Sequence, residues 1–161
     1  MLNRFDNKII AIAGGAGGIG SGVSRRLADE GATVIIGDIN LNAAEQTAAE
    51  INDKGGQALP LQLDISDETS VKSFIHTAVH KYGGIDGLHV NALDSSRTME
   101  DTDPVTIDMS AYDYMMNANL RSYFLCTRHA VPQLIARGGG CLLYTSSGAA
   151  YTGMDSQPVY G

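Results

Sequence analysis

A doubly wound parallel α/β sheet with helices on both faces is the fold this sequence predicts, and three observations predict it. Short apolar, β-branched runs alternate with segments of helical periodicity along the whole chain. A glycine cluster, Gly14-Gly15-Ala16-Gly17-Gly18-Ile19-Gly20, lies between the first such run, Ile9-Ile10-Ala11-Ile12-Ala13, and the first helical segment. The carboxylate Asp38 closes the second run, Ala32 to Gly37. Strand, glycine turn, helix, strand and terminal acid within one βαβ unit make up a nucleotide-binding half of the Rossmann type.

The elements follow in order. Ile19 to Glu30 carries Ile19, Val23 and Leu27 at helical spacing, and Gly31 sits where a helix ends. Leu41 to Lys54 is rich in alanine and glutamate and stops at Gly55-Gly56. Gln57 to Leu63 reads as the third strand. Ser66 or Asp67 caps the next helix, whose apolar positions are Val71, Phe74, Ile75, Ala78 and Val79, and Gly83-Gly84 ends it. Ile85 to Ala92 reads as a buried strand, and Leu93 to Asp108, polar and interrupted by Pro104, as a loop. Ser110 is expected to open one long helix with Met115, Asn119, Ser122, Cys126, Ala130 and Ile135 near one stripe. Gly138-Gly139-Gly140 breaks it before the fifth strand, Cys141 to Thr145, and a loop from Ser146 to Val159 leads to Tyr160.

At 161 residues the sequence asks for a single domain. A net charge of -7 with no local basic cluster argues against a nucleic-acid partner. Cys126 and Cys141 are expected as reduced core residues, which makes a cytoplasmic setting the default. No apolar run is long enough to span a bilayer, and the first residues lack the apolar core of a signal peptide. His76, His80, His89 and His129 lack the spacing of a metal-ligand set and are expected on the surface or satisfied in the core. Met109, Met115 and Met116 are expected in the core or lining a pocket, and the acidic run Glu100-Asp101-Thr102-Asp103 as a solvated segment.

In a sheet of this kind ligands bind beyond the carboxyl ends of the strands, so the glycine turn, Asp38, Asp64, Asn91 to Leu93 and Ser146 to Ser147 point to one edge. Glycines there let backbone N–H groups and the positive end of the helix dipole approach a diphosphate. Two spacings fit, Gly15-x-Gly17-x-x-Gly20 and Gly14-x-x-x-Gly18-x-Gly20. Asp38 can accept hydrogen bonds from adenosine-ribose hydroxyls, or cap the following helix, and both can hold at once. No arginine stands at Ile39, Asn40 or Leu41 to accept a 2′-phosphate, so NAD is favoured over NADP.

The whole chain resembles the short-chain dehydrogenase/reductase family. Ala13-Gly14-Gly15-Ala16-Gly17-Gly18-Ile19-Gly20 is similar to the family's Thr-Gly-x-x-x-Gly-Ile-Gly, with alanine for threonine, and this selects the wider glycine spacing. Asp64-Ile65 is similar to the acidic-apolar pair beside the adenine ring. Val90-Asn91-Ala92-Leu93 stands in the place of Asn-Asn-Ala-Gly, with valine and leucine as departures. The resemblance implies a cofactor site of Gly14, Ala16, Gly17, Gly18, Ile19, Gly20, Asp38, Ile39, Asp64, Ile65, Asn91 and Ala92. It also implies a catalytic group of Asn119, Ser147 and Tyr160.

In that group Tyr160 is the acid/base, Ser147 orients the substrate oxygen, and Asn119 holds a water for proton relay. A tyrosine serves as acid/base near neutral pH only if its pKa falls well below the free value of about 10, and the family supplies a lysine after three further residues to lower it. Against that pattern the chain is expected to be the cofactor-binding portion of a longer protein, a homo-oligomer when complete. The implied activity is hydride transfer between a nicotinamide cofactor and a small alcohol or carbonyl substrate. A non-catalytic nucleotide-binding or regulatory protein on the same fold is the alternative.

Overall fold

The computed structural model describes residues 3–152, 154 and 156–160. Met1 and Leu2 of the N-terminal segment and Gly153 and Asp155 of the last loop lie outside the described residues, as does Gly161. Five parallel strands form one sheet: β1 (Ile9–Ala13), β2 (Thr33–Asp38), β3 (Gln57–Gln62), β4 (Gly87–Val90) and β5 (Cys141–Tyr144). Their order is β3-β2-β1-β4-β5, so the chain winds outward from β1 in both directions. A crevice therefore opens between β1 and β4, where the winding reverses.

Alternation along the strands separates two cores. Ile9, Ala11, Ala13, Ile35, Leu88 and Val90 face one side, which α3 (Glu68–Tyr82) and α5 (Ser122–Ala136) cover. Ile12, Val34 and Ile36 face the other, under α1 (Gly18–Asp29) and α2 (Leu41–Asp53). Ile12, Ile35 and Ile36 are fully buried, each burial stabilising the fold by roughly 1.5–3 kcal/mol. On α1 the buried positions are Gly20, Ser24 and Ala28, four apart and all small, which lets this helix lie close to the sheet.

Caps and ends follow the chemistry of the sequence with some shifts. Asp67 caps α3 through the N–H groups of Thr69 and Ser70, and Gly83, at φ 79°, closes it in the left-handed region. Asn40 caps α2 through Ala43 N–H, so Asp38 is released from that duty.

The expected single long helix is instead α4 (Met109–Met115), a stretch of wider i→i+5 turns over Met116–Arg121, and α5. Its cap is Asp108, which accepts Ser110 N–H, rather than Ser110 itself. The buried stripe runs Ala118, Ser122, Cys126, Ala130, Leu134, a step of four each time. Ile135 is 71% exposed and outside it, because five residues past Ala130 is about 140° round a regular helix, whereas Leu134, four past, stays on the buried face.

Two further expectations are corrected. Cys141 is exposed because β5 borders the sheet among the described residues, whereas Cys126 is buried and its thiol is pushed up to about 12 by burial. Met109 is 60% exposed, while Met115, at the end of α4, is buried. Among the described residues no helix is long and apolar enough to cross a membrane.

Candidate functional site

Strand register aligns the site. Gly37, Ala13, Val90 and Tyr144 lie in one row across β2, β1, β4 and β5. The next residues along each strand are Asp38, Gly14, Asn91 and Thr145, all at the carboxyl edge. They border a cleft of about 1490 Å3 that brings together Gly14, Gly17, Gly18, Ile19, Asp38, Ile39, Asp64, Ile65, Asn91, Ala92, Asn119, Ser147 and Tyr160. Of the expected site residues, Ala16 and Gly20 stand behind this lining rather than in it.

The glycines divide by what a side chain would meet. At Gly14, with φ 79°, a Cβ would come within 2.6 Å of Ala92 Cα. At Gly20 a Cβ would lie 1.9 Å from Gly14 O, so α1 and the end of β1 require glycine for their own packing. At Gly17 and Gly18 a Cβ would meet no atom of the described residues within 4 Å. Those two leave space open at the start of α1.

Hydrogen bonds account for the neighbouring amides. Gly14 and Gly15 N–H both donate to Gly37 O, Ala16 N–H to Asp38 Oδ2 at 3.0 Å, and Ser21 N–H to Gly17 O. The N–H groups of Gly17, Gly18, Ile19 and Gly20 have no acceptor among the described residues. No acidic side chain occupies the first turn of α1. A helix start with free N–H groups and no Cβ in front of it is chemically an anion seat.

Asp38 flanks that seat. Its Oδ1 accepts Asn40 N–H at 3.0 Å, and each carboxylate oxygen keeps capacity for a further donor. Ile19 and Ile39, 64% and 69% exposed, place apolar surface along the cleft on either side. Asp64 is occupied locally, its Oδ1 accepting both the N–H and the hydroxyl of Ser66. Asn91 ties three strands: Nδ2 donates to Gly14 O, Oδ1 accepts from Thr145 Oγ1, and its N–H donates to Ala13 O.

Thr145 also fixes a histidine. Because its hydroxyl donates to Asn91, His89 Nε2 must carry the proton that bridges the 2.8 Å to Thr145 Oγ1. His89 is 6% exposed, its Nδ1 has no partner among the described residues, and burial lowers its pKa. The expectation of a satisfied core histidine therefore fails at Nδ1. Val90, where the family carries asparagine, packs into the core with no exposure, and Leu93 stands half exposed in the cleft.

At the far end of the cleft the polar side chains clamp loops. Asn119, within the wide turns, accepts Asp94 N–H at 2.8 Å and donates to Asp94 O at 3.0 Å. Tyr114 Oη donates to Asp94 Oδ2, and Tyr123 Oη to Thr145 O. Ser147 Oγ accepts Ala149 N–H at the start of the short helix α6 (Ala149–Thr152), which leaves its hydroxyl proton to donate elsewhere.

Tyr160 is 37% exposed. Burial pushes the nearby Tyr123 phenol up, with Cys126 and Tyr160 adding to it. The acidic run is not uniformly solvated as expected. Asp101 is 2% exposed and accepts the N–H groups of Val159 and Tyr160. Tyr114, Tyr123, Asp94 and Asp101 were not singled out by spacing, since each acts on a partner at least 20 residues distant.

Known proteins resemble this chain in sequence and in fold. A family profile described as short chain dehydrogenase matches residues 8–161. The 7alpha-hydroxysteroid dehydrogenase of Bacteroides fragilis is 34% identical over 160 residues, covering 99% of this chain and 61% of that protein. The 2,5-dichloro-2,5-cyclohexadiene-1,4-diol dehydrogenase of Sphingobium indicum is 35% identical, over 91% of this chain and 57% of its own length. A crystal structure of NAD+-bound xylitol dehydrogenase superposes with a TM-score of 0.89 at 26% identity, over 98% of this chain and 60% of that one. The chain thus spans about three-fifths of the length of these relatives. With its 3-2-1-4-5 sheet, its glycine turn and this match along nearly its full length, the chain belongs to the short-chain dehydrogenase/reductase family of oxidoreductases.

Proposed function

We propose that the protein is an NAD-dependent dehydrogenase of secondary alcohols, working in either direction between alcohol and carbonyl. One observation carries this reading: open space and unpaired N–H groups at Gly17 and Gly18 share a single cleft with Asp38, Ser147 and Tyr160. The residues fit a nicotinamide dinucleotide, which supplies the hydride acceptor when bound. The amides of Gly17, Gly18 and Ile19 receive its diphosphate. The Asp38 carboxylate accepts the adenosine-ribose hydroxyls, and a 2′-phosphate there would meet its negative charge. Ile19 and Ile39 would offer the cofactor apolar surface, and Asp64 and Ile65 would border its adenine.

The chemistry on the substrate belongs to the chain's other end. Ser147 Oγ–H donates to the substrate oxygen and orients it, and Tyr160 Oη takes the hydroxyl proton on oxidation or returns it on reduction. Asn119 holds the Leu93–Asp94 turn in place, with a second Nδ2 hydrogen free for a water. The relatives' names specify a hydroxysteroid, a cyclohexadienediol and xylitol, all carrying secondary alcohols. That shared group is the substrate class proposed here.

The test is turnover by the full-length protein of a 7α-hydroxysteroid, a cyclohexadienediol and xylitol, with NAD and with NADP, following reduced nicotinamide. NAD-dependent turnover of at least one is expected. Failure of all three with both cofactors, in a protein that binds NAD, would overturn the reading.

A further inference from the structure

We propose that Asp101 is a positioning residue for Tyr160, coupling the loop between β4 and α4 to the residue that handles the substrate proton. The inference rests on the acid/base role given to Tyr160 above. Asp101 follows the short turn Thr98–Glu100, and its side chain points inward where its acidic neighbours stay local. Glu100 pairs with Arg97, and Asp103 accepts from Val105 and Thr106. The Asp101 carboxylate instead crosses to the end of the chain. Oδ1 and Oδ2 accept Val159 N–H at 3.2 and 3.1 Å, and Oδ2 accepts Tyr160 N–H at 2.9 Å. Its carbonyl oxygen accepts Gln157 N–H at 2.9 Å.

Among the described residues no cationic side chain lies within ion-pair distance of this buried carboxylate. A buried charge without a counter-ion persists only where hydrogen bonds satisfy it, and here backbone donors of Val159 and Tyr160 do so. Two consecutive N–H groups converging on one side chain suit a carboxylate, whose two oxygens both accept. Gln157 adopts φ 64°, a left-handed conformation unusual for a residue with a side chain, and its N–H is held by the Asp101 carbonyl. The backbone entering Tyr160 is thus fixed at three successive points by one residue. Asp94, Ser95, Ser96 and Thr98 of the same loop line the cleft, so a substrate that touches this loop acts on the tyrosine through Asp101.

The experiment compares the full-length protein with Asp101→Ala, Asp101→Asn, Tyr160→Phe and the Asp101→Ala/Tyr160→Phe double variant. Amide hydrogen exchange at Val159 and Tyr160, NAD affinity, and kcat on the fastest of the three alcohols above are measured. In Asp101→Ala, exchange at those two amides accelerates at least about tenfold and kcat falls at least about tenfold, while NAD affinity stays within about twofold. Asp101→Asn, with one acceptor oxygen, recovers part of both losses. In the Tyr160→Phe background, Asp101→Ala causes no further loss of kcat, because the group it positions is gone.

Unchanged exchange, unchanged kcat, or losses that multiply in the double variant would overturn the inference. If Asp101→Ala fails to fold, Asp101→Asn carries the same readouts, alone and combined with Tyr160→Phe. Full turnover by Tyr160→Phe would instead overturn the acid/base reading, and exchange at the two amides still decides whether Asp101 pins them.

Discussion

The two ends of the cleft are built by different means. At the β1–α1 end the groups proposed to work are the free backbone amides of Gly17 to Ile19, in a turn whose preceding amides bond to the adjoining strand and to a carboxylate 22 residues from Ala16. At the β4–β5 end they are side-chain hydroxyls, and their positions depend on clamps that reach across the chain: Asp94 to Asn119 over 25 residues, Thr145 to Asn91 over 54, and Asp101 to Tyr160 over 59. A ligand's constant part can be met by a local motif that the fold itself generates. Its variable part needs loops, and loops need side chains to hold them. Damage at the first end should therefore register in folding or cofactor affinity, and damage at the second in turnover.

The largest expected effect lies at the β4–β5 end. Tyr160→Phe removes the hydroxyl but keeps the ring, and turnover should fall by about 100- to 10,000-fold with NAD affinity nearly intact. A comparable loss of affinity in a binding titration would mean that the two ends are not separable.

Glycine substitutions divide the other end within itself. Gly20→Ala drives a methyl into Gly14 O and should destabilise the protein by about 3 kcal/mol or more, measured by denaturant unfolding. Gly17→Ala has no such clash and should leave stability within about 1 kcal/mol while weakening NAD binding several-fold, since its methyl enters the space left for the ligand. Equal destabilisation by both would remove the distinction between glycines kept for packing and glycines kept for a ligand.

The smallest effect is on pH dependence and lies outside the cleft. Glu30, just past the far end of α1, is held at about 2 by hydrogen bonding to Arg4, with burial opposing and Arg26 adding to the pull. A carboxyl depressed in the folded state stabilises fully above its ordinary value of 4.5 and loses that contribution as pH falls towards about 2. Glu30→Gln should flatten acid unfolding in that window and leave cofactor affinity near neutral pH unchanged.

What could be read from the sequence follows the same division. The glycine turn between β1 and α1, the carboxylate that closes β2 and all five strands were legible because their signals are local: β-branched runs, helical spacing, and glycine or a capping acid at the joints. Asp101 was misread as solvated because a run of four polar residues looks exposed, and the amides that bury it lie nearly 60 residues later. Ile135 reads as a core position only when the stripe is drawn loosely, since it lies about 140° round the helix from Ala130 whereas Leu134 lies about 40° from it. His89 gave no warning either. Nothing near it in sequence announces Thr145, its partner across the β4–β5 pair.

The central claim is that the β1–α1 end is a seat for NAD, with Asp38 rejecting the 2′-phosphate of NADP. Calorimetric titration of both cofactors into the full-length protein and its Asp38→Ala variant tests it most directly. The account predicts NAD binding at least about tenfold tighter than NADP, with the gap closing in Asp38→Ala as NAD loses charge-assisted bonds worth about 1.5–3 kcal/mol. NADP binding as tightly as NAD to the unaltered protein, or a gap unchanged in Asp38→Ala, would contradict it.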